Sequence, residues 1–384
     1  MTAGPLKGLK VVEISGIGPG PCAGMMLADL GAEVIMVERK VTNSNDAGIN
    51  PSGHEFAIFN RGKNSIALDL KNPEAVEVVL KLVENADILI EGFRPGVMER
   101  LGLGPDVCLG RNPKLVFGRM TGWGQTGPLS HAAGHDPNYI ALTGALWAGA
   151  SAERPPTAPL TLVGDIGGGT MILLLGVLSA VFHARETGEG QVVDAAITDG
   201  TAYISTLLRM MHNTAQISDE PGTGWANYGS PWHENYQCAD GKYVSICALE
   251  PKFYALLLGK LGLSDHPAFA NQWDTSAWPD GKQLMAELFA SKTREQWCEL
   301  LEGSDACFAP VLDFSESVAH PHNVARGTFI EIDGVIQPAP APKFSHTPTS
   351  GGRVPFSGQH SRAILQRAGF SEDDIKRLEE HQVV

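Results

Sequence analysis

Three short stretches of this chain carry proton-transferring groups in positions where chemistry could use them. Gly134-His135-Asp136-Pro137-Asn138-Tyr139 sets a histidine before an Asp-Pro pair. That pair reads as the N-cap and first position of a helix from Pro137 to about Trp147. The partial positive charge of a helix start disfavours imidazolium, so the ring is kept neutral and able to act as a base near pH 7. Leu162-Val-Gly-Asp165-Ile-Gly167-Gly168-Gly169 sets a carboxylate at the threshold of an apolar helix ending near Ala184. The glycines that follow would let backbone N–H groups approach a ligand closely. Glu250-Pro251 opens another helix, where the glutamate either caps it or orients a histidine of another domain or subunit. Each stretch also has a plainer account, a surface histidine beside a cap and two capping acids. On spacing alone the plainer accounts are favoured.

The cations form a second pattern. Arg39, Lys71, Arg94 and Arg100 follow strand ends or short turns in the first half of the chain. Carboxyl ends of parallel strands are where such sheets bind ligands, so this set could anchor a phosphorylated molecule. The alternative is a scatter of solvated charges. His54, His131, His183, His320 and His322 lack metal-ligand spacing with acidic or cysteine partners, and no metal is expected. Gly18-Pro19-Gly20-Pro21-Cys22-Ala23, with Glu38 after the next strand, fits a dinucleotide fingerprint on paper. That fingerprint needs backbone N–H groups facing a pyrophosphate, and Pro19 and Pro21 remove two of them. A tight strand-to-helix turn with Pro21 near the first helical position is the better reading.

The elements that must hold these groups alternate. Lys10–Ile14, Glu33–Val37, Ser65–Leu70, Asp87–Ile90 and Leu115–Met120 read as strands. Between them lie a helix over Cys22–Leu30 closed by Gly31 and one opened by Asn72-Pro73-Glu74 that runs to about Ala86. Strands separated by helices of this length imply βαβ units and a mostly parallel sheet. Residues 41–60 read as a long loop. After about residue 200 the pattern changes to a smaller α+β unit. Its hairpin turns at Asp240-Gly241, and its helices open at Glu250-Pro251 and span Arg294–Leu301. Phe370-Ser371-Glu-Asp-Asp374 reads as staple, N-cap and capping-box acid of an exposed final helix. The expected division is a large α/β domain over 1–199, a linker over 200–225, a small domain over 226–318, a return linker over 319–350 and a segment 351–384 rejoining the large domain.

Composition narrows the class of function. The 384 residues carry 29 Lys+Arg against 43 Asp+Glu, a net charge of −14, with 43% hydrophobic residues. Globular content of this kind supports a large core. Nucleic acids and anionic membranes both select a surplus of cations, so neither is an expected partner. Met171–Val181 with Phe182 is the longest apolar run, interrupted by Gly176 and short of the ~18 residues of a spanning helix. No signal, transit or peroxisomal pattern is read, and six cysteines without a C-x-x-C pair suit a reducing cytoplasm.

Several of these motifs together resemble the family III CoA-transferases. The resemblance rests on Val11-Val-Glu-Ile-Ser-Gly-Ile-Gly-Pro-Gly-Pro, Leu27-Ala-Asp-Leu-Gly-Ala-Glu-Val, Glu91-Gly-Phe-Arg-Pro-Gly-Val, Thr121-Gly-Trp-Gly-Gln-Thr-Gly-Pro and Gly188-Glu-Gly-Gln-Val-Val-Asp-Ala-Ala. Within that superfamily, Gly134-His135-Asp136-x-Asn138-Tyr139 followed by Gly164-Asp165-x-Gly-Gly-Gly resembles the α-methylacyl-CoA racemase branch. The resemblance implies an interlocked homodimer, each chain having a Rossmann-like parallel-sheet large domain and a smaller α+β domain. The active site would lie between the large domain of one chain and the small domain of the other, with no cofactor beyond the CoA of the substrate.

By the same resemblance His135 and Asp165 are the proton-transfer residues, and the partner chain's Glu250 supports His135. Arg39, Lys71 and Arg100 hold the CoA phosphates and adenosine, with Leu68 alongside and Gly134 also among the substrate-binding residues, while Asp136 and Tyr139 lie close to the thioester. Pro137 and the long 41–60 segment depart from the pattern. Met171, Met210 and Met211 are candidates to line an acyl chain, helix packing being the plainer account. Inverting a 2-methylacyl thioester needs a base on one face of the α-carbon and an acid on the other. His135 would take the (S)-face proton and Asp165 return one to the (R) face. The rival within the family is acyl transfer with Asp165 as nucleophile; a rival outside it is CoA binding without catalysis.

Overall fold

The computed structural model describes residues 4–40, 54–151 and 155–384. The chain divides into two units, Met1–Thr143 with Pro159–Ile204 and Gly327–Val384, and Gly144–Ala158 with Ser205–Arg326. In the first unit Lys10–Ile14 (β1) has Val11 and Val12 on opposite faces, and both are buried. Glu33–Arg39 (β2), Asn64–Leu68 (β3), Ile88–Glu91 (β4), Val116–Thr121 (β5) and Gln191–Ala196 (β6) complete one sheet. All pairings are parallel, in the order β3-β2-β1-β4-β5-β6. Strands apolar on both faces are what a parallel sheet covered by helices requires. The strand order reverses between β1 and β4, so a crevice opens outside the carboxyl ends of those two strands.

Two cores follow from the alternation. Val12, Val37, Ile66, Leu89 and Phe117 pack under the helix Pro73–Val83 and the last two helices, Ser361–Arg367 and Glu372–Glu380. Val11, Val34, Ile88, Ile90 and Val116 pack under Pro19–Asp29 and Ile172–Thr187. Pro73–Val83 starts as expected, with the Asn72 side chain accepting the Glu74 N–H at 2.9 Å. It stops short of Ala86 because the Asn112 side chain donates to the carbonyls of Val83 and Ala86. The final helix is capped by Ser371 as read, but it is not merely exposed: Ile375 and Leu378 bury its inner face.

Other differences concern helix length and the return segment. The helix expected after Pro137 ends at Ala141; Gly144, at φ 85°, breaks it, and only the turn Ala145–Ala148 follows. Leu162–Met171 is a π-helical segment running directly into Ile172–Thr187. The joined helix of 26 residues is long and apolar enough to cross a membrane by length and composition, which the shorter apolar run in the sequence did not suggest. Here Leu173, Val177, Ala180 and Val181 bury its inner side in the sheet core. Residues 41–53 of the expected long loop lie outside the described residues, and the rest of it forms the turns His54–Phe56 and Ile58–Asn60. The stretch 319–350 holds Pro321–Arg326 and a hairpin, Phe329–Ile332 with Val335–Pro338, where the reading had a linker. Arg61 ties that hairpin down through Gln337 and Pro338.

The second unit is built on the antiparallel strands His233–Gln237, Tyr243–Cys247 and Phe308–Val311, with the expected turn at Asp240-Gly241. Trp232, Tyr236, Phe289 and Trp297 dominate its core.

Candidate functional site

His135 is itself the N-cap of the helix Asp136–Ala141, one residue earlier than the sequence suggested. Its carbonyl accepts the Asn138 N–H at 2.8 Å, while Asn138 Oδ1 accepts the His135 N–H at 3.0 Å. Proline is tolerated anywhere in the first turn, where N–H groups have no helical acceptor, so Pro137 moves to the second position without cost. The shift exposes the His135 ring and turns Asp136 inward, where it is only 5% exposed.

Asp136 reaches Asp165 across the fold. Its Oδ1 accepts the Asp165 backbone N–H at 2.8 Å. Asp165 lies inside the π-helical segment rather than before a helix, and wide turns of this kind recur at functional sites. Burial and, after it, the charge of Asp136 together lift the Asp165 carboxyl to about 6, with His135 opposing the rise. A Cβ added at Gly18, in the turn after β1, would stand 3.6 Å from Asp165 Oδ2, which places the carboxylate at the mouth of the switch-point crevice. An imidazole and a half-buried carboxyl of raised pKa thus share one electrostatic environment.

The glycines behind Asp165 do something other than expected. A Cβ on Gly168 would meet Thr201 Oγ1 at 2.2 Å, and one on Gly200 would meet the Gly168 carbonyl at 1.9 Å. They allow the helix Ile197–Ile204 to cross this segment in backbone contact, so their role is packing rather than presenting N–H groups to a ligand. Gly18 likewise serves a turn: it is an N-cap at φ 74°, and Pro19 takes the first helical position ahead of Pro21.

Tyr139 has its hydroxyl committed to the Gly134 carbonyl, and its ring stands edge-on to Trp123 at 4.8 Å between centroids. Together they brace the Gly134-His135 turn. Burial, with Asp165 adding and Arg94 opposing, pushes the Tyr139 phenol up, so it stays a donor. Trp123 has no role in the sequence reading; the only signal was an aromatic residue inside Gly122-Trp123-Gly124.

Arg39 ends β2, Lys71 follows β3 and Arg100 ends the turn Val97–Arg100 after β4; Arg94 lies in the same connection. All four are exposed, at the carboxyl ends of neighbouring strands. Leu68, the register partner of Arg39, is fully buried, so its side chain belongs to the core and only its backbone can meet a ligand. Glu250 lies in the second unit at the N-cap of Pro251–Leu261. Its carbonyl accepts from Phe253 and Tyr254, but its exposed carboxylate makes no capping bond, so the plain capping account does not explain it. Met171 and Met210 are exposed, whereas Met211 is buried in packing. Among the described residues no cluster of His, Cys, Asp and Glu could hold a metal ion.

The chain thus combines a doubly wound sheet, Asp165 beside the turn after β1, and a row of cations at strand ends. Residues 6–361 match the model of CoA-transferase family III, and the chain belongs to that family. It is 41% identical over 383 residues to alpha-methylacyl-CoA racemase of Mus musculus, covering 99% of this chain and 97% of that protein. It is 40% identical over 382 residues to alpha-methylacyl-CoA racemase of Homo sapiens, with the same coverage of 99% and 97%. The crystal structure of a CAIB/BAIF family protein from Brucella suis aligns with a TM-score of 0.80 at 27% identity, over 95% of this chain and 99% of that one.

Proposed function

We propose that this chain is an isomerase that interconverts (2R)- and (2S)-2-methylacyl-CoA thioesters by proton transfer at C2. The observation that carries the reading is Asp165, a half-buried carboxyl raised to about 6 that feels the electrostatic influence of His135. Full-length similarity to two proteins named alpha-methylacyl-CoA racemase supports it.

In this mechanism neutral His135 removes the α-proton from the (S) face, and the C–H electron pair enters an enolate of the thioester. Asp165 then gives its proton to the same carbon from the other face. The reverse direction exchanges the roles. As negative charge develops on the thioester oxygen it needs a donor. The Asp136 N–H opens its helix without a helical acceptor and supplies one. Arg39, Lys71 and Arg100 hold the CoA phosphates, and in an interlocked homodimer the partner's Glu250 orients His135. The chemistry uses only the chain's own groups and the acyl-CoA.

The test is incubation with a (2R)-2-methylacyl-CoA in deuterated water. Racemisation with deuterium at C2 is expected. The family's other chemistry would use Asp165 as a nucleophile forming an acyl anhydride. Acyl transfer to an added free acid, with no exchange at C2, would establish that reading and overturn this one.

A further inference from the structure

We infer that the side chain of Asp136 is a positioning residue for Asp165: it anchors the Asp165 backbone and sets a negative charge beside the group that gives and takes the proton. The inference rests on the proton-transfer role proposed for Asp165, and assigns Asp136 a task separate from its backbone N–H.

Three geometric facts carry it. Asp136 is buried, and its Oδ1 accepts the Asp165 N–H at 2.8 Å. Among the described residues neither carboxylate is in an ion pair, so the charge of Asp136 is not neutralised locally. The residue before Asp165 is Gly164, where a Cβ would fall 2.2 Å from Asp136 Oδ1; any larger residue would displace the carboxylate.

Elements packed on this segment carry Tyr139 of Asp136–Ala141, Asp199 and Tyr203 of Ile197–Ile204, Cys22 and Asp29 of Pro19–Asp29, His183, Arg185 and Glu186 of Ile172–Thr187, Arg119 of β5 and Asp194 of β6. The groups that act on Asp165 are nonetheless Asp136 and His135, the charge of Asp136 favouring the protonated carboxyl and the imidazolium form of His135 opposing it. A buried like charge makes loss of the second proton harder. Asp165 therefore keeps a proton to donate at a pH where an ordinary aspartate has lost it.

The test titrates the substrate-free protein by carbon-13 NMR with labelled aspartate, using Asp165→Asn to assign the signal. Asp136→Asn preserves the oxygen acceptor and removes the charge. The Asp165 midpoint should fall by about one pH unit. In the (S)-to-(R) direction, the loss of kcat with rising pH should begin correspondingly lower while KM stays nearly constant. An unmoved midpoint overturns the inference. If Asp136→Asn does not fold, the wild-type protein decides: coupled carboxylates give the Asp165 signal two inflections, and one inflection in the ordinary aspartate range overturns the proposal. A shifted midpoint in a protein that exchanges no C2 proton would leave the electrostatic role standing and remove the racemase reading, so the two failures are distinguishable.

Discussion

The first unit buries carboxylates in contrasting ways. Asp29 is gripped by Arg61 at 2.6 Å, Glu13 by Lys63 at 2.7 Å and Glu91 by Arg119 at 2.9 Å, all with side chains almost wholly inside. These pairs join elements distant in sequence, and Lys63 also donates to the Pro21 carbonyl beneath the strand-to-helix turn. Among the described residues Asp136 and Asp165 are in no ion pair: Asp136 accepts the Asp165 backbone N–H, and Asp165 lies in the fields of Asp136 and His135. A buried carboxylate with a cation fixes structure; one without a cation is left with chemistry to do. The difference separates scaffold from site more sharply than burial does.

That contrast breaks first at the pairs. Arg61→Ala leaves Asp29 charged and buried and should destabilise the protein by about 3–5 kcal/mol in urea unfolding. A loss no larger than that of a surface substitution would show the pair to be dispensable. At the site the expected effects reverse. Asp165→Asn should cut C2 exchange by about 10²–10⁴-fold with no loss of stability, and His135→Asn should do the same. Retained exchange in either variant would refute the assignment.

The sign of the pH dependence sharpens the comparison. The Asp165 carboxyl is raised above its unfolded value of 3.8 to about 6, so the folded chain holds its proton more tightly than the unfolded chain. Ionisation then costs stability: the penalty is absent below the unfolded value, grows as pH rises towards 6 and is complete above it. Relative to Asp165→Asn, the wild-type protein should lose about 1 kcal/mol across that window after allowance for solvent screening, measured as the difference in unfolding midpoints. A difference that stays flat with pH would place the carboxyl at its ordinary value. The smallest effect is at the strand ends. Lys71→Ala should leave stability within about 0.5 kcal/mol while raising KM for acyl-CoA, the more so at low salt. A KM insensitive to both would remove Lys71 from the CoA site.

Much of the scaffold was legible because its signals are local. The apolar runs of β1 and β4, the Asn72-Pro73 cap and the Ser371 cap each state their structure within a few residues. The helix after Pro137 was misread in extent because Gly144 ends it through a left-handed backbone, a break weaker in sequence than the apolar pattern across it. The hairpin at Phe329–Pro338 was missed since its short strands are fastened by a remote arginine, Arg61. Gly167 to Gly169 looked like ligand-facing glycines because sequence cannot show that Gly200 lies against them.

The residue types with acid–base capacity, the helix start beside His135 and the strand ends that carry the cations were set by the sequence, since capping and alternation act between near neighbours. Only the tertiary structure decided that Asp136 would face Asp165 across 29 positions and that no cation would come between them. Charge interactions depend on distance and on water excluded around them, and both exist only after the chain has closed over the site.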